Sequence, residues 1–388
     1  MKIVDIRELT IPLKGNVANA MVNFSTHTVS LVAVISDVVR GGRPLVGFAF
    51  DSIGRFGQRG ILTERIIPRI LAAAPDSLFA ASGEAFDPAK VTRAGMRDEK
   101  PGGHGDRAAA MAAVELAIWD LNAKLEDEPA HATIARHFGR VSEACDTSVY
   151  AAGGYYYPGE SVNALRDELK AYADLGFSAF KMKIGGASLR EDLVRIEAAL
   201  AVAGDGGNLA VDANGRFDLD TALAYAKGIE PYGLRWFEEI GDPLDFRLNK
   251  ALTEAFPGAV ATGENLFSVR DVENLVRYGG MRTSKDVFQM DAGLSYGLTE
   301  YARMIDVLES NGFDRRQALP HGGHLINLHI VAGLGLGGCE AYPGVFQPFG
   351  GYSAACGLRG GRVRPSSAAG FGLEEKDGLR EWLSRLSE

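Results

Sequence analysis

The first residues, MKIVDIRELTIPL, alternate polar and apolar side chains, the pattern of a strand with one buried face. A second apolar run, VSLVAVISDVV, follows, and mixed helical segments then lead to AAMAAVELAIWDLNAK, a packing helix. This opening part reads as an α+β unit. From about residue 147 the pattern changes: the runs TSVYAA, AFKMKI, NLAVD, LRWFEE, AVATGE, DVFQMD and QALPH are short and β-rich, each ending beside Gly, Asn, Pro or an acid. Between them the period is helical, with Leu165, Leu169 and Tyr172 at i, i+4, i+7 and Tyr301, Met304, Ile305 and Leu308 at i, i+3, i+4, i+7. Strand and helix in alternation predict a parallel sheet.

Charged residues recur once per unit at the strand ends. Asp212 to Glu238 is 26 residues, Glu238 to Glu264 is 26, Glu264 to Asp291 is 27 and Asp291 to His321 is 30. An eight-unit barrel of about 250 residues has about 31 per βα unit, and its strand ends converge on one catalytic face. No GxGxxG or GxxxxGK[ST] opens a helix, so a phosphate cradle is not indicated. The Gly- and Ser-rich tail, ending in EEKDGLREWLSRLSE, is expected to return to the opening unit. The expected division is thus a cap of residues 1–123 completed by 345–388, and a barrel of residues 124–344.

Composition narrows the function. In 388 residues, 50 acidic side chains against 41 basic ones give a net charge of −9 without a basic stripe, which argues against nucleic acid or an anionic membrane as partner. A small anionic substrate remains compatible, because a local positive site can sit inside an acidic protein. The three cysteines (Cys145, Cys339, Cys356) are scattered and form no CxxC, so neither a disulfide framework nor a thiolate zinc site is expected. The start lacks the apolar core of a signal peptide, and no run of 18 apolar residues occurs. An unprocessed, soluble cytoplasmic protein, assembled as a homo-oligomer, is the expectation.

Three carboxylates, Asp212 in VDANG, Glu238 in WFEE and Glu264 in ATGEN, would face one another across the barrel mouth. Like charges at close range raise each other's pKa unless a cation neutralises them, and a hard divalent ion such as Mg²⁺ would do so. Glu239 competes with Glu238, although strand alternation would turn only one of them inward. His321 directly follows Pro320, one unit after Asp291, so the two can pair, the Asp fixing the imidazole tautomer. His324 reads as structural. In FKMKIGG, Lys181 and Lys183 share one face of a strand, placing two ammonium groups side by side.

The order KMK, VDANG, FEE, TGEN, QMD and PHGGH resembles the mandelate racemase subgroup of the enolase superfamily over nearly the whole chain, VELAIWDL included. SLVAV, EKPGGHG, YAAGGYYYPG, KMKIGG and AVDANGRF resemble its tartrate-dehydrating members most. The resemblance implies a modified TIM-type (β/α)₇β barrel with an α+β capping domain, and Asp212, Glu238 and Glu264 as ligands of Mg²⁺. It implies that Lys183 removes the proton α to a carboxylate, that Lys181 binds that carboxylate, and that His321, held by Asp291, protonates the departing β-hydroxyl. An ene-diolate would form and collapse to a 2-keto acid. A neighbouring cation and partial burial would keep Lys183 neutral near working pH. Asn19, Lys100, Tyr157 and Glu340 match polar positions expected to touch substrate. In DSIGR, Ile53 stands where the tartrate pattern has asparagine, which bears on the identity of the substrate. Other acid-sugar dehydratases, or a racemase or epimerase using the same Lys and His, are the alternatives, ahead of a non-catalytic binding barrel.

Overall fold

The alternating start of the chain forms strand β1 (Ile3–Pro12), antiparallel to β2 (Thr28–Arg40), which pairs in turn with β3 (Arg43–Phe50). The computed structural model describes residues 1–15, 17–141, 146–157, 159 and 161–388. Helix α1 (Asp106–Leu125) packs against β2 and β3 so closely that a Cβ on Gly47 would lie 2.1 Å from the Ala117 carbonyl oxygen. With helices over the sheet, the VSLVAVI run is buried at every position rather than at every second one.

The barrel follows as strands alternating with amphipathic helices. Its parallel strands are β4 (Thr147–Gly153), β5 (Phe180–Lys183), β6 (Leu209–Asp212), β7 (Phe237–Glu238), β8 (Val260–Thr262) and β9 (Val287–Phe288), each hydrogen-bonded to the next. The QALPH segment contributes a single bridge, Ala318 to Phe288, with the Leu319 and His321 amides donating to the Phe288 and Gln289 carbonyls at 2.9 and 3.2 Å. The strand β10 (Cys339–Ala341) then pairs with β4 and closes the ring. Helices α3 (Val162–Asp174) and α8 (Leu298–Ser310) bury the stripes read from sequence, Leu165, Leu169 and Tyr172 on one and Tyr301, Met304, Ile305 and Leu308 on the other. Tyr150, Ala210, Trp236, Ala261, Val287 and Leu319 fill the barrel interior.

The tail divides. Its hairpin, β11 (Gly357–Arg359) and β12 (Arg362–Arg364), joins the barrel sheet beside β4, where a return to the cap was expected. Helix α10 (Arg380–Ser387) does pack on β1 and β2, with Arg7 donating to the Leu386 carbonyl at 2.8 Å. Cys339 and Cys356 are buried free thiols, and Cys145 lies outside the described residues. Among the described residues no helix is long and apolar enough to cross a membrane.

Candidate active site

Strand register sets the site. Lys183 on β5 stands beside Asp212 on β6, and Asp212 beside Glu238 on β7. Asp212 ends its strand in a tight turn, with Asn214 and Gly215 at φ of 48° and 74°; Asn214 donates to both carboxylate oxygens, at 2.8 Å from its backbone and 3.2 Å from its side chain. Glu264 follows Gly263, whose φ of 124° suits only glycine. Asp212, Glu238 and Glu264 each offer an oxygen within 4.8 Å of the others.

The two lysines lie in different layers of the mouth. Lys181 is sunk in the barrel, its Nζ 2.5 Å from Glu238 Oε1, 2.8 Å from Glu340 Oε1 and 3.7 Å from Asp212 Oδ2. Lys183 is nearer the opening and bonds Asp212 Oδ2 at 2.5 Å. Burial alone would lower both ammonium pKa values, but the facing carboxylates outweigh it and both are raised. A neutral Lys183 was expected; here burial and Lys181 do push its pKa down, but Asp212, Glu264 and Glu238 together pull it up further. Asp212 is lowered against its own burial by the two lysines, while burial and Asp212 push Glu238 up to about 8.

These carboxylates fit a hard divalent cation. Glu264 Oε2 is buried without a hydrogen-bond partner, and Glu238 is driven toward its protonated form by burial and by the neighbouring Asp212 charge, a conflict that such an ion would relieve. Glu239 also faces the site, contrary to simple alternation. The strand ends at Glu238, and Glu239 takes a φ of 39°, which turns its side chain into the same cavity, where Asn265 donates to it at 2.5 Å.

Across the mouth, His321 Nδ1 is 3.2 Å from Asp291 Oδ2, and Nε2 is 3.1 Å from the Tyr342 hydroxyl. Asp291 is fixed by the Gly293 amide at 2.8 Å and the Asn327 side chain at 3.1 Å. Burial opposes the imidazolium, but Glu264, Asp291 and Glu340 raise His321 to about 9. His324, read as structural in the sequence, caps helix α9 (Leu325–Leu334); its Nε2 is 3.0 Å from the Ser52 hydroxyl, and burial lowers it to about 4.

Lys183, Glu264 and His321 line one cavity of about 250 Å³, roofed by Asn19, Ile53 and Arg55 from the cap. Asn19 spends its carboxamide oxygen on the backbone amides of Met21 and Val22, at 2.8 and 2.7 Å, which shapes the roof loop. The other residues expected to touch substrate do not line this cavity. Lys181 and Glu340 are paired with each other beneath it. Lys100 lines a separate cavity with Tyr296 and Arg303. Tyr157 faces another, of about 570 Å³, and donates to Glu168 at 3.3 Å; neither the carboxylate triad nor Lys183 lines this larger space. Arg55 and Tyr342 went unread in the sequence. Tyr342 had a signal, since it stands two residues after Glu340 and shares its face; Arg55 had none beyond its charge in DSIGR.

This architecture, a parallel barrel with its charged groups at the strand ends beneath an α+β cap, is that of the enolase superfamily. Residues 164–378 match the family described as Enolase C-terminal domain-like, more than half of the chain, and the chain belongs to it, within the mandelate racemase subgroup. It is 26% identical over 360 residues to L-talarate/galactarate dehydratase of Salmonella typhimurium, covering 92% of this chain and 84% of that one. Arabinonate dehydratase of Saccharolobus solfataricus is 28% identical over 238 residues, 60% of each chain. The fold is shared with L-talarate dehydratase of a Polaromonas species, solved with Mg and L-glucarate (TM-score 0.78, 23% identity, 98% of this chain and 96% of that one).

Proposed function

We propose that the protein is a magnesium-dependent dehydratase of acid sugars, a hydro-lyase that converts a hydroxy acid to a 2-keto acid. The observation that carries this reading is that Lys183 and His321, the latter paired with Asp291 behind it, line the same cavity as Glu264, with the rest of the carboxylate triad close by. Curated relatives named as acid-sugar dehydratases support it. Asp212, Glu238 and Glu264 would hold a divalent ion, which would supply positive charge to offset that of a substrate carboxylate. Lys183 Nζ takes the α-proton. The lysine would be freed to do so with Asp212, Glu238 and Glu264 all engaged elsewhere, since burial and Lys181 would then act unopposed to lower its pKa. Lys181, clamped by Glu238 and Glu340, adds fixed positive charge from below. His321 provides the proton for the departing β-hydroxyl.

The finer reading is a hydroxy-diacid of the tartrate type. Arg55 supports a second carboxylate: its guanidinium lines the cavity opposite the barrel mouth, propped by Asn265 Oδ1 at 3.0 Å and the Phe267 ring, with the ring centroid 4.8 Å away. Ile53, buried against the cavity, offers no hydrogen bond to a substrate hydroxyl, which favours a diacid other than D-tartrate itself. Racemisation or epimerisation would use the same Lys and His to return the α-proton to either face.

A screen of mono- and diacid sugars with Mg²⁺, read as 2-keto acid formation, tests this. Turnover of a diacid that stops on chelation is expected. No keto acid from any member, or full activity after exhaustive chelation, would overturn the reading.

A further inference from the structure

The His321 nitrogen left over for proton transfer, Nε2, does not open freely onto the cavity. The Tyr342 hydroxyl sits 3.1 Å from it and donates its one proton to Glu340 Oε2 at 2.9 Å, so a phenol lone pair meets Nε2. On the other side of the ring, Nδ1 faces the acceptor-only carboxylate of Asp291. With an acceptor at each nitrogen, the imidazole is held doubly protonated, in keeping with its raised pKa of about 9. Tyr342 and His321 both line the cavity, so a departing hydroxyl meets the phenol and the imidazole together.

We propose that Tyr342 is a catalytic residue in the dehydration: its phenol proton passes to the departing β-oxygen while the phenol oxygen takes the Nε2 proton of His321. The step balances. Lys183 removes the α-proton, the Cα–H electron pair becomes the Cα=Cβ bond, and the Cβ–O pair leaves with the oxygen as water. Tyr342 ends as it began, His321 ends neutral, and no co-reactant is required. When the phenol turns from Glu340, that carboxylate keeps Lys181 at 2.8 Å and the Gly322 amide at 2.9 Å, so no buried charge is stripped of partners. Burial, with Glu340 alongside, holds the phenol pKa well above its ordinary value, so the hydroxyl passes a proton without persisting as phenolate. The assignment rests on the proposed dehydration.

Two measurements on Tyr342→Phe decide it. The first is nitrogen-15 NMR of ring-labelled histidine in the metal-free protein, which needs no substrate. His321 Nε2 is expected to shift and its imidazolium to titrate at lower pH once the phenol acceptor is gone; an unchanged His321 signal overturns the contact. The second is turnover and α-hydrogen exchange in D₂O with Mg²⁺ on D-tartrate and galactarate, alongside wild type. Dehydration is expected to fall about 10²–10⁴-fold, as for loss of a positioned acid, with exchange retained. Dehydration near the wild-type rate, or equal loss of both activities in a variant that melts like wild type, overturns the proposal. If wild type turns over neither acid nor any member of the wider screen, the dehydratase reading itself fails, and the imidazole signal still reports on the contact. Should Tyr342→Phe fold poorly, fluorotyrosine at position 342 keeps the shape: an altered dehydration pH profile supports proton transfer, and an unaltered one contradicts it.

Discussion

Glu264 is the clearest test of the carboxylate triad at the scale of single residues, because one of its oxygens is buried without a partner. Glu264→Gln should weaken Mg²⁺ binding by at least the roughly 10–100-fold typical of losing even an outer-shell partner, measured by calorimetry; unchanged affinity would remove Glu264 from the ligand set. Ile53 bears on substrate choice. Ile53→Asn should raise kcat/KM for D-tartrate relative to other diacids, since a side chain that can hydrogen-bond a hydroxyl rewards it and an apolar one does not. If D-tartrate is already the best substrate of the wild type and the substitution brings no gain, Ile53 does not select against it.

Elements carry the stability predictions. The capping sheet and α1 meet at Gly47, where an added Cβ would strike backbone as well as the Leu121 side chain, 2.6 Å away at its Cβ. Gly47→Ala should cost about 1–3 kcal/mol or more in denaturant titration, the usual range for overpacking. Helix α9 contributes a pH dependence through two buried histidines: burial lowers His324 to about 4 and His329 to about 3. In the unfolded chain each titrates near 6.5, so between these values the unfolded state binds protons that the native state refuses. Their stability contribution is present above about 6.5 and is lost as pH falls, by about 2 kcal/mol each at about pH 5. His329→Leu should flatten the fall in melting temperature between neutral and mildly acid pH; an equally steep fall would contradict the assignment. The helical stripes of α3 and α8 were legible because burial follows a single period there. β7, β9 and QALPH were less so: a strand of two residues, or a single bridge beside a proline, is set by ring closure rather than by its own pattern.

For the molecule as a whole, the spacing of charged strand ends revealed the barrel, because each βα unit adds one strand end to the same face. The partners of those charges were harder to read. Whether Lys181 meets substrate or Glu340, and whether Glu239 turns inward, depends on depth within the mouth and on one residue at positive φ, neither of which leaves a period in the sequence. The cap was legible as an α+β unit, but its gift of Arg55 to the cavity required the loop to be seen in place. All of these parts serve one claim, that Lys183 breaks the α-carbon–hydrogen bond and His321 serves the leaving group. NMR in D₂O with Mg²⁺ and a diacid that the wild type dehydrates, on Lys183→Ala and His321→Asn, tests it most directly. Lys183→Ala should neither exchange the α-hydrogen nor dehydrate, and His321→Asn should exchange it while dehydration drops steeply; exchange that persists in Lys183→Ala and vanishes in His321→Asn would contradict the account.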